Sequence, residues 1–571
     1  MKEVLYVSVT AAVSTGPATG ALPLWHAALV LTPAAAAVFF AAVAARASTV
    51  ASSWRLARAA SLTMVVGAVL AVLVRAVTDD RAGMLVRSDS VGVAMLSLVS
   101  FIGWVVVRYS RSYLSGDPYE QSYVARLLAT VAAVAVVVVA NDLIVLVLAW
   151  TATSLALHGL LTFFGDRPVA IAVAHKKFIL ARCADVAMVA AVVAFASTFR
   201  TFRIDRIVSG AVVAGSLPTG ARVGIALVAL AALLKCAQLP FHGWLIQVME
   251  APTPVSALLH AGVVNLGGFV LLRFSPVVDR ATETRALLVI VGTVTAVVAA
   301  LVMTTRISVK VSLAWSTCAQ MGFMLMQCGL GAWEMALLHL LAHSLYKAHA
   351  FLGAGGVVRL TQRKQLAMAP VAPTATSVSA AFVVAALTTF GAGWMWGSLP
   401  FTEHRSSAFV VLGLIVALAM VPLISVRMKA VGSRVSPKMF AAAIGVPLTY
   451  FALHDLFAHI VVGDGSAAPS PLLVLVAAAF VALFLVQAIC AIAPSHPLVT
   501  RMYPWVYGGL FIDEAFTRVA FAVWAPPPPR SRVAPLPQRA AVAIFARATP
   551  QTASVVSPSP QVELLPAWNV A

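Results

Sequence analysis

The sequence predicts an all-α fold, a polytopic membrane bundle of about fifteen transmembrane helices. Two observations support this prediction. The chain of 571 residues is 61% hydrophobic and only 10% charged, whereas an ordinary soluble domain has about 25% charged residues. Apolar runs of about 17 to 25 residues, the length that a helix needs to cross a bilayer, follow one another along most of the chain. No water-soluble fold could bury that much apolar surface.

The apolar runs define the order of the predicted spans. We expect helices to begin near residues 24, 60, 91, 124, 142, 173, 221, 253, 286, 308, 332, 374, 407, 437 and 470. A multi-pass protein of this kind is expected in a bacterial cell (inner) membrane, surrounded by the lipid bilayer.

The chain has a formal net charge of +19, from 39 basic and 20 acidic residues. Because the basic residues lie mostly in short gaps between apolar runs, we interpret them as topology signals and expect no nucleic-acid partner. One set of alternate loops contains Arg46, Arg55, Arg58, Arg108, Arg111, Arg126, Arg167, Lys176, Lys177, Arg306, Arg359, Arg363, Lys364, Arg427, Lys429, Arg434 and Lys438. The other contains Arg75, Arg81, Arg87, Arg200, Arg203, Arg206, Arg222, Arg273, Arg280, Arg285 and Arg405. The first set is richer, so we expect it to face the cytoplasm.

The cysteines lie inside apolar stretches and form no C-x-x-C pair. They are Cys183, Cys236, Cys318, Cys328 and Cys490. We expect small buried side chains and neither an iron–sulfur nor a haem c site, so any electron transfer would take place in another subunit. The chain is therefore expected to be a transporter subunit, not an enzyme, with no cofactor of its own.

Prolines interrupt two otherwise helical runs, one at Pro240 and one at Pro252 and Pro254. Proline removes a backbone donor and clashes one turn back, so a helix kinks or stops there. Interrupted helices often mark the ion path of transporters, although an ordinary packing kink would have the same sequence.

Ionisable residues inside the apolar runs are candidate functional groups, because a charge in the hydrocarbon core costs a few kcal/mol. Lys235 lies just before Pro240, Glu250 lies at the second interruption, and His260 follows within the next helix. Buried lysine and histidine can exchange protons near neutral pH. We therefore expect these three side chains to face one polar interior and to conduct protons.

A second group of ionisable residues follows later in the chain. Lys310 precedes His339, His343 and Lys347, and the last three lie at i, i+4 and i+8 on one helical stripe. Two histidines at i, i+4 could bind a metal, but no third ligand follows at helical spacing. We therefore expect a proton relay or structural hydrogen bonds here, and no metal.

A third group lies upstream, at the start of a span. Lys176, Lys177, Arg182 and Asp185 fall within ten residues of one another, and Asp185 can pair with Arg182 at i, i+3. A structural ion pair and a tuned entrance to an ion path are both compatible with this pattern.

The sequence pattern changes after residue 493. Proline is concentrated at residues 525–530 (APPPPR), Pro535, Pro537 and residues 557–560 (SPSP). We expect this tail not to form a helix, and to be either a plain disordered terminus or a docking segment.

Residues 234–245 (LKCAQLPFHGWL) and 250–260 (EAPTPVSALLH) resemble the antiporter-like subunits of respiratory complex I and of Mrp-type cation/proton antiporters. Residues 309–317 (VKVSLAWST) and 331–333 (GAW) continue the resemblance, which covers roughly residues 90 to 360. It implies two inverted five-helix repeats, each with a broken helix. It also implies protonatable groups at Lys235, His260, Lys310, His339, His343 and Lys347.

The chain departs from these relatives in three places. Thr151 follows Trp150, where electron-transfer-coupled members have a glutamate. Residues 390–396 (FGAGWMW) replace a later element that normally contains a lysine. The long lateral helix of the complex I subunit has no counterpart among the apolar runs after residue 493.

Residues 240–250 (PFHGWLIQVME) and 259–269 (LHAGVVNLGGF) are most similar to the DabB membrane subunits of two-component inorganic-carbon pumps. In that family the partner, DabA, is a soluble subunit that resembles a zinc-dependent β-type carbonic anhydrase. The resemblance implies that a flow of protons or sodium ions through this chain drives CO2 hydration in the partner, so that bicarbonate accumulates inside. Zinc would belong to the partner.

These observations divide the chain into five units. We expect N-terminal helices at 1–110, a first antiporter-like repeat at 111–270, a second at 271–425, C-terminal helices at 426–495 and the proline-rich tail at 496–571. Two other functions stay open, a proton-pumping subunit of a complex I, hydrogenase or Mrp-type assembly, and a self-contained sodium/proton antiporter. A neighbouring gene for a large soluble protein with Cys/His zinc ligands would favour the carbon pump.

Overall fold

A computed structural model describes residues 23–47, 49–356, 373–398, 408–430, 437–458, 460–461 and 468–524 of the chain. Predictions that lie outside these residues concern Arg359, Arg363, Lys364, Arg405, Arg434 and the proline-rich stretches after residue 524. The side chains of Arg427, Lys429 and Lys438 also lie outside the described part.

The N-terminal part consists of α1 (Leu24–Ala45), α2 (Val50–Val77) and α3 (Ser90–Tyr113). A short antiparallel ladder of β1 (Arg81–Ala82) and β2 (Arg87–Ser88) connects α2 to α3. The Asp89 carboxylate caps the start of α3 by accepting the N–H of Gly92.

Two series of helices follow where the repeats are expected. The first contains α4 (Glu120–Val139), α5 (Leu143–Leu161), α6 (Pro168–Phe199), α7 (Ile204–Val213), α8 (Thr219–Lys235), α9 (Gly243–Gln247), α10 (Thr253–Ala261) and α11 (Leu266–Arg273). The second contains α12 (Ser275–Asp279), α13 (Thr282–Met303), α14 (Val309–Leu330), α15 (Trp333–Gly353), α16 (Ala375–Gly397) and α17 (Ala408–Ala430).

The C-terminal part contains α18 (Pro437–Ala458), α19 (Ser470–Ile492), α20 (Pro497–Tyr507) and α21 (Ile512–Val523). Single 3-10 turns lie at Val248–Glu250, Val263–Asn265, Ala354–Gly356 and Gly509–Phe511.

The number of helices that span the membrane agrees with the sequence prediction. In the described part of the chain, twelve helices are long and apolar enough to cross a membrane. Helices α8, α14 and α15 lie at three more of the predicted starts, near residues 221, 308 and 332. The predicted all-α bundle of about fifteen spans is confirmed.

Three of the expected unit limits fall inside helices. Residue 110 lies in α3, residue 270 in α11 and residue 425 in α17. The loops after these helices are better limits, since a boundary inside a helix would divide a single membrane crossing. The division into two inverted repeats stays a prediction. The helix that contains residues 390–396, α16, runs unbroken to Gly397, so it lacks the break expected in the second repeat.

One end of the bundle, which we call the basic end, carries the loops of the richer basic set. Here Trp54, near the start of α2, donates to Glu120, at the start of α4 (2.6 Å). Arg126 donates to the carbonyl of Gly159, near the end of α5 (2.7 Å). The helix ends and loops at this end carry Arg46, Arg108, Arg111, Arg167 and Arg306. The positive-inside rule therefore predicts that the basic end faces the cytoplasm.

At the opposite end a buried ion pair joins two distant segments. The Arg273 guanidinium, at the end of α11, bonds to the Asp89 carboxylate and to the carbonyl of Val138. Burial alone would raise the pKa of Asp89, but the guanidinium groups of Arg273 and Arg87 hold it well below its ordinary value. This pair fixes the end of α11 against the start of α3.

The hydrophobic core is continuous from α1 to α15. Its largest fully buried side chains include Trp150, Phe195, Phe269, Phe274 and Trp333. Helices α16 to α19 pack on this body through smaller apolar clusters. Many large apolar side chains on the outer helices are exposed, as expected of side chains that contact lipid.

The break predicted at Pro240 is confirmed. Helix α8 ends at Lys235 and α9 begins at Gly243, and the backbone between them leaves the helix, with Ala237 in the left-handed region (φ 52°). The backbone groups after Lys235 bond outside the helical pattern: the Cys236 carbonyl accepts from the Gln238 amide, and the Leu239 N–H donates to the Thr295 hydroxyl.

The second predicted break is a helix start. Pro252 is the N-cap of α10 and Pro254 lies in its first turn, where the missing N–H of proline is not needed. The break in this span lies instead beyond Ala261, where a 3-10 turn at Val263–Asn265 separates α10 from α11. The irregular backbone therefore follows His260 directly.

The expected tail from residue 496 is wrong in its first part. Residues Pro497–Tyr507 and Ile512–Val523 form α20 and α21. The proline-rich composition that suggested an extended tail begins only at residue 525. Both helices lie at the basic end, because α19 ends there and Tyr507 contacts Arg306, between α13 and α14.

Candidate ion pathway

Lys235 is buried beside the helix break in the first series. Its ammonium donates to the Ser154 hydroxyl of α5 (2.8 Å) and lies 3.5 Å from the carbonyl of Trp150. The Trp150 ring, whose centroid is 4.3 Å from the ammonium, covers it. The side chain therefore has polar partners inside the bundle and does not extend to the membrane surface.

Lys177 contacts the same residue of α5. Its ammonium donates to the Ser154 carbonyl (2.8 Å), and its side chain is buried. Two lysines thus bind opposite polar groups of one serine, and their charges are close enough to interact. Because like charges in a medium of low dielectric constant repel strongly, one cation at this position disfavours a second.

Asp185 provides a carboxylate near these lysines. It pairs with Arg182 (2.8 Å), as the i, i+3 spacing predicts, and it also interacts electrostatically with Lys235. Thr151, which the resemblance sets against the glutamate of electron-transfer-coupled members, lies beside it. Asp185 is therefore a carboxylate of α6 that lies near Thr151 and acts on Lys235.

Lys176 is fully buried and faces the basic end of α6. It donates to the Asp513 carboxylate of α21 (2.8 Å), to the amide oxygen of Gln247 (3.0 Å) and to the Thr517 hydroxyl (2.7 Å). Lys176 and Lys177 are consecutive in α6, so one contacts the C-terminal helix and the other contacts Ser154.

Glu250 does not join this interior. It forms an ion pair with Arg167 (2.8 Å) at the basic end, and about half of each side chain is exposed, 42% and 48% respectively. The expectation that Glu250 shares an interior with Lys235 and His260 is wrong, because the residues before α10 turn outward and place the carboxylate at the surface.

The first polar cluster consists of Lys235, Lys177, Asp185 and Lys176. Lys347 is the centre of a second polar cluster. Its ammonium donates to the Ser316 hydroxyl (2.7 Å) and to the carbonyl of Leu313 (3.2 Å), both on α14. The residue is fully buried. It therefore resembles Lys235 in its serine and carbonyl partners, and differs in having no carboxylate partner among the described residues.

Three histidines lie around Lys347. His339 bonds through Nδ1 to the Gln327 amide oxygen (3.0 Å), and its ring centroid is 5.9 Å from that of His343. His260 stacks on Phe351 (4.3 Å between centroids). The ring nitrogens of His260 and His343 are buried and have no protein partner. Since a buried polar atom needs a hydrogen bond, we expect water molecules to bond to these nitrogens.

Lys310 contacts the start of α10. Its ammonium donates to the Thr253 hydroxyl (3.0 Å), and the side chain is partly exposed near the basic end. This position lies at the mouth of the second cluster, one turn before Leu313.

The two clusters are adjacent, but protein hydrogen bonds do not join them into one wire in the described part of the chain. The residue that bridges α10–α11 to α15 is Asn265, whose amide donates to the Ser344 hydroxyl (2.7 Å). Lys235 bonds within the first cluster and His260 stacks within the second. A proton that passes between them needs water as a carrier.

Several site residues were missed from the sequence. Ser154, Ser316 and Asp513 are the partners of Lys235, Lys347 and Lys176. A serine in an apolar run gives no signal of its own, because serine commonly bonds to its own helix. Asp513 gave a signal that was overlooked: residues 512–523 (IDEAFTRVAFAV) have a helical alternation of polar and apolar residues.

A further polar cluster lies at the opposite end of the second series. His454 lies between the carboxylates of Glu334 (3.3 Å) and Asp455 (3.4 Å), and Trp396 donates to Asp455 (2.6 Å). The buried Tyr450 hydroxyl lies near Glu334. This cluster joins three helices, α15, α16 and α18, and its titratable groups lie on α15 and α18.

The expected absence of a metal stays a prediction. Among the described residues no three His, Cys, Asp or Glu side chains group as metal ligands.

Comparison with known proteins supports this architecture. Residues 140–431 match the family model described as NADH:quinone oxidoreductase/Mrp antiporter, TM. Residues 78–124 match the N-terminal model of complex I chain 5.

Curated relatives include four that are named probable inorganic carbon transporter subunits. The probable subunit DabB of Hydrogenovibrio crunogenus is 46% identical over 60% of this chain and 67% of its own length. The probable subunit DabB2 of Halothiobacillus neapolitanus is 36% identical over 77% of this chain and 80% of its own length. NADH-quinone oxidoreductase subunit L of Mycobacterium tuberculosis is 33% identical over 48% of this chain and 44% of its own length.

Two solved structures share the fold. The Mrp complex from Dietzia sp. DQ12-45-1b contains a chain with a TM-score of 0.60 and 23% identity, covering 94% of this chain and 64% of that chain. A chain of the archaeal membrane-bound sulfane sulfur reductase has a TM-score of 0.52 and 15% identity, covering 87% of this chain and 99% of that chain.

Proposed function

Because the chain belongs to the NADH:quinone oxidoreductase/Mrp antiporter transmembrane family, with DabB inorganic carbon transporter subunits among its relatives, we propose that it is the ion-conducting membrane subunit of an inorganic-carbon pump. The ion is the proton. The conducting groups are ammonium and imidazole, which take up and release protons, whereas hard cations such as sodium prefer oxygen ligands.

The observation that carries this proposal is the pair of buried lysines on Ser154. Lys235 and Lys177 contact the hydroxyl and the carbonyl of that residue, next to the broken helix of a membrane bundle. A buried charge is costly in such a bundle and is retained where an ion must pass.

The geometry allows one positive charge to alternate between two positions. Repulsion disfavours simultaneous charges on Lys177 and Lys235, while Asp185 favours one at Lys235. Arrival of a proton at one lysine therefore promotes release from the other. Such a step moves charge from one side of Ser154 to the other.

The second cluster takes the charge onward. His260 and His343 interact electrostatically with Lys347, and each has ring nitrogens that need water as a partner. Imidazole accepts a proton on one nitrogen and releases one from the other, so these rings suit a relay between water molecules.

We assign the chemistry on inorganic carbon to a partner. A soluble DabA-like subunit with zinc, similar to a β-type carbonic anhydrase, would hydrate CO2, and proton flow through this chain would make that reaction proceed in one direction. This chain then needs no cofactor and acts as a transporter subunit.

The alternative is an antiporter-like proton-pumping subunit of a complex I, hydrogenase or Mrp-type assembly. The similarity to NADH-quinone oxidoreductase subunit L favours it. The higher identity to the DabB subunits, together with Thr151 in place of the glutamate of electron-transfer-coupled members, favours the carbon pump.

Co-expression in a host without carbonic anhydrase tests the proposal. The chain and the product of its neighbouring gene should together restore growth in ordinary air, and neither should do so alone. Growth with the soluble partner alone would contradict the proposed role of this chain. So would failure of the pair when both proteins are present in the membrane fraction.

A further inference from the structure

The C-terminal helices α20 and α21 lie across the basic end and contact both series of helices. Tyr507 at the end of α20 packs on Arg306 (5.1 Å from guanidinium carbon to ring centroid). In α21, Phe516 packs edge-on against Phe241 (5.5 Å between centroids), and Trp524, immediately after α21, stacks on His175 (3.7 Å). A segment at the end of the described chain is thereby held against the broken helix of the first series.

This segment brings one carboxylate to the most deeply buried lysine of the first series. Asp513 Oδ2 accepts hydrogen bonds from Lys176 (2.8 Å) and from the Gln247 amide (2.9 Å). The Asp513 carboxylate packs directly on Gly243, so a side chain at residue 243 would clash with it. The site is therefore built from three separate segments of the chain.

The side chain of Asp513 is also in partial contact with the exterior. It is 21% exposed, whereas that of Lys176 is 0% exposed. Oδ1 is itself buried and has no protein partner. A buried carboxylate oxygen without a partner needs a water molecule or a proton of its own, and the partly exposed side chain lies where basic-end water can supply either.

We propose that Asp513 is the proton-exchange group at the basic-end entrance of the first cluster, and that α20 and α21 form the cover that holds it there. This inference rests on the proposed proton conduction. Protons reach Lys176 through Asp513, and Lys177, the next residue of α6, continues toward Ser154 and Lys235.

Glu514 provides a matched control on the same helix. It is the next residue in sequence, its side chain is 59% exposed, and its partner Arg518 lies 3.9 Å away. Phe516→Ala provides a second control, because it loosens the contact with Phe241 while keeping the Asp513 carboxylate.

The test measures proton flux through the full-length chain in vesicles of phosphatidylethanolamine and phosphatidylglycerol, with a potassium diffusion potential and an interior pH dye. Asp513→Asn should lower the flux by about a hundredfold, the range of a lost proton-transfer group. Asp513→Glu should restore most of it, and Glu514→Gln should match the wild type. The pH dependence of the remaining flux in Asp513→Asn should differ from that of the wild type.

The outcomes separate this inference from the proposed function. If the wild type conducts no protons, the proposed function fails. If the wild type conducts and Asp513→Asn conducts equally with the same pH dependence, only the inference fails. If Phe516→Ala loses as much flux as Asp513→Asn, while Asp513→Glu does not recover, the C-terminal helices are structural and the inference is overturned.

Discussion

In the first cluster the lysines lie beside carboxylates, whereas in the second cluster Lys347 contacts neutral groups. Lys176 pairs with Asp513, and Asp185 acts on Lys235. The described partners of Lys347 are a serine hydroxyl and a backbone carbonyl. Both clusters use the same lysine–serine contact. They differ in that carboxylates lie near the lysines of the first cluster only.

This difference suggests a division of roles. A buried cation near a carboxylate is stabilised by the opposite charge, whereas an isolated buried cation bears the full desolvation cost. The first cluster is therefore suited to hold a proton, and the second, with its histidines, is suited to pass one on. The two clusters would then act in series.

The largest expected effect lies outside both clusters and concerns stability. Asp89→Asn leaves Arg273 buried without its counter-charge, which should lower the free energy of unfolding by about 3–5 kcal/mol. Thermal unfolding of the purified protein in detergent measures this. Asp79→Asn, at an exposed neighbouring position, is the control, and equal melting temperatures for the two variants would contradict the assignment.

The same pair predicts a pH dependence. The pKa of Asp89 is lowered in the folded protein, so its stabilisation is present above the unfolded pKa of about 4 and is lost as the pH falls below it. The wild type should therefore lose more stability than Asp89→Asn between about pH 5 and pH 3. Parallel losses in both proteins would be the opposite result.

Removal of the first-cluster lysine should have the largest effect on transport. Lys235→Met should lower bicarbonate accumulation in cells at low CO2 by about a hundredfold, because the proton-transfer group is lost. Protein level and partner binding should not change. Cys183→Ala should be nearly silent, because Cys183, unlike the other four cysteines, is exposed and not buried as the sequence predicted. If Lys235→Met still accumulates bicarbonate, the first cluster does not hold the transported proton, and the division of roles between the clusters is contradicted.

A second-cluster imidazole should matter less. His260→Gln keeps a hydrogen-bonding side chain that water can contact, so the loss should be about fivefold, equivalent to a hydrogen bond of about 1 kcal/mol. The pH dependence of the proton flux should also differ from that of the wild type. A loss as large as that of Lys235→Met would show that the histidine is a storage site and not a relay.

The smallest effect is expected at Glu250. Its ion pair with Arg167 is half exposed, and exposed pairs contribute about 0–1 kcal/mol. Glu250→Gln should therefore change bicarbonate uptake less than twofold, within the scatter expected of a surface substitution. A large loss of bicarbonate uptake would show that Glu250 belongs to the ion pathway after all.

The sequence predicted the membrane bundle and the first break well, because apolar length and proline have local physical meaning. Lys235 and Pro240 lie within one short stretch, so their relation is visible without a fold. Asp513 and Lys176 are 337 positions apart, and only tertiary packing brings them together. At Pro252 the sequence predicted a helix break and the structure has a helix start. Proline is common at both positions, so its presence alone does not distinguish them.

Glu250 illustrates a second limit. Spacing along the chain placed it near Lys235, but the turn before α10 rotates it to the surface, where Arg167 binds it. The direction of a side chain after an irregular segment depends on backbone angles that the residue types do not determine.

The most direct test of the account is proton flux through wild-type chain and Lys347→Met in sodium-free vesicles under an imposed membrane potential. Since the clusters act in series, flux should be present in the wild type without sodium and almost absent in Lys347→Met, as in Lys235→Met. If Lys347→Met conducts like the wild type, the second cluster is not part of the path, and the account of two clusters in series is contradicted.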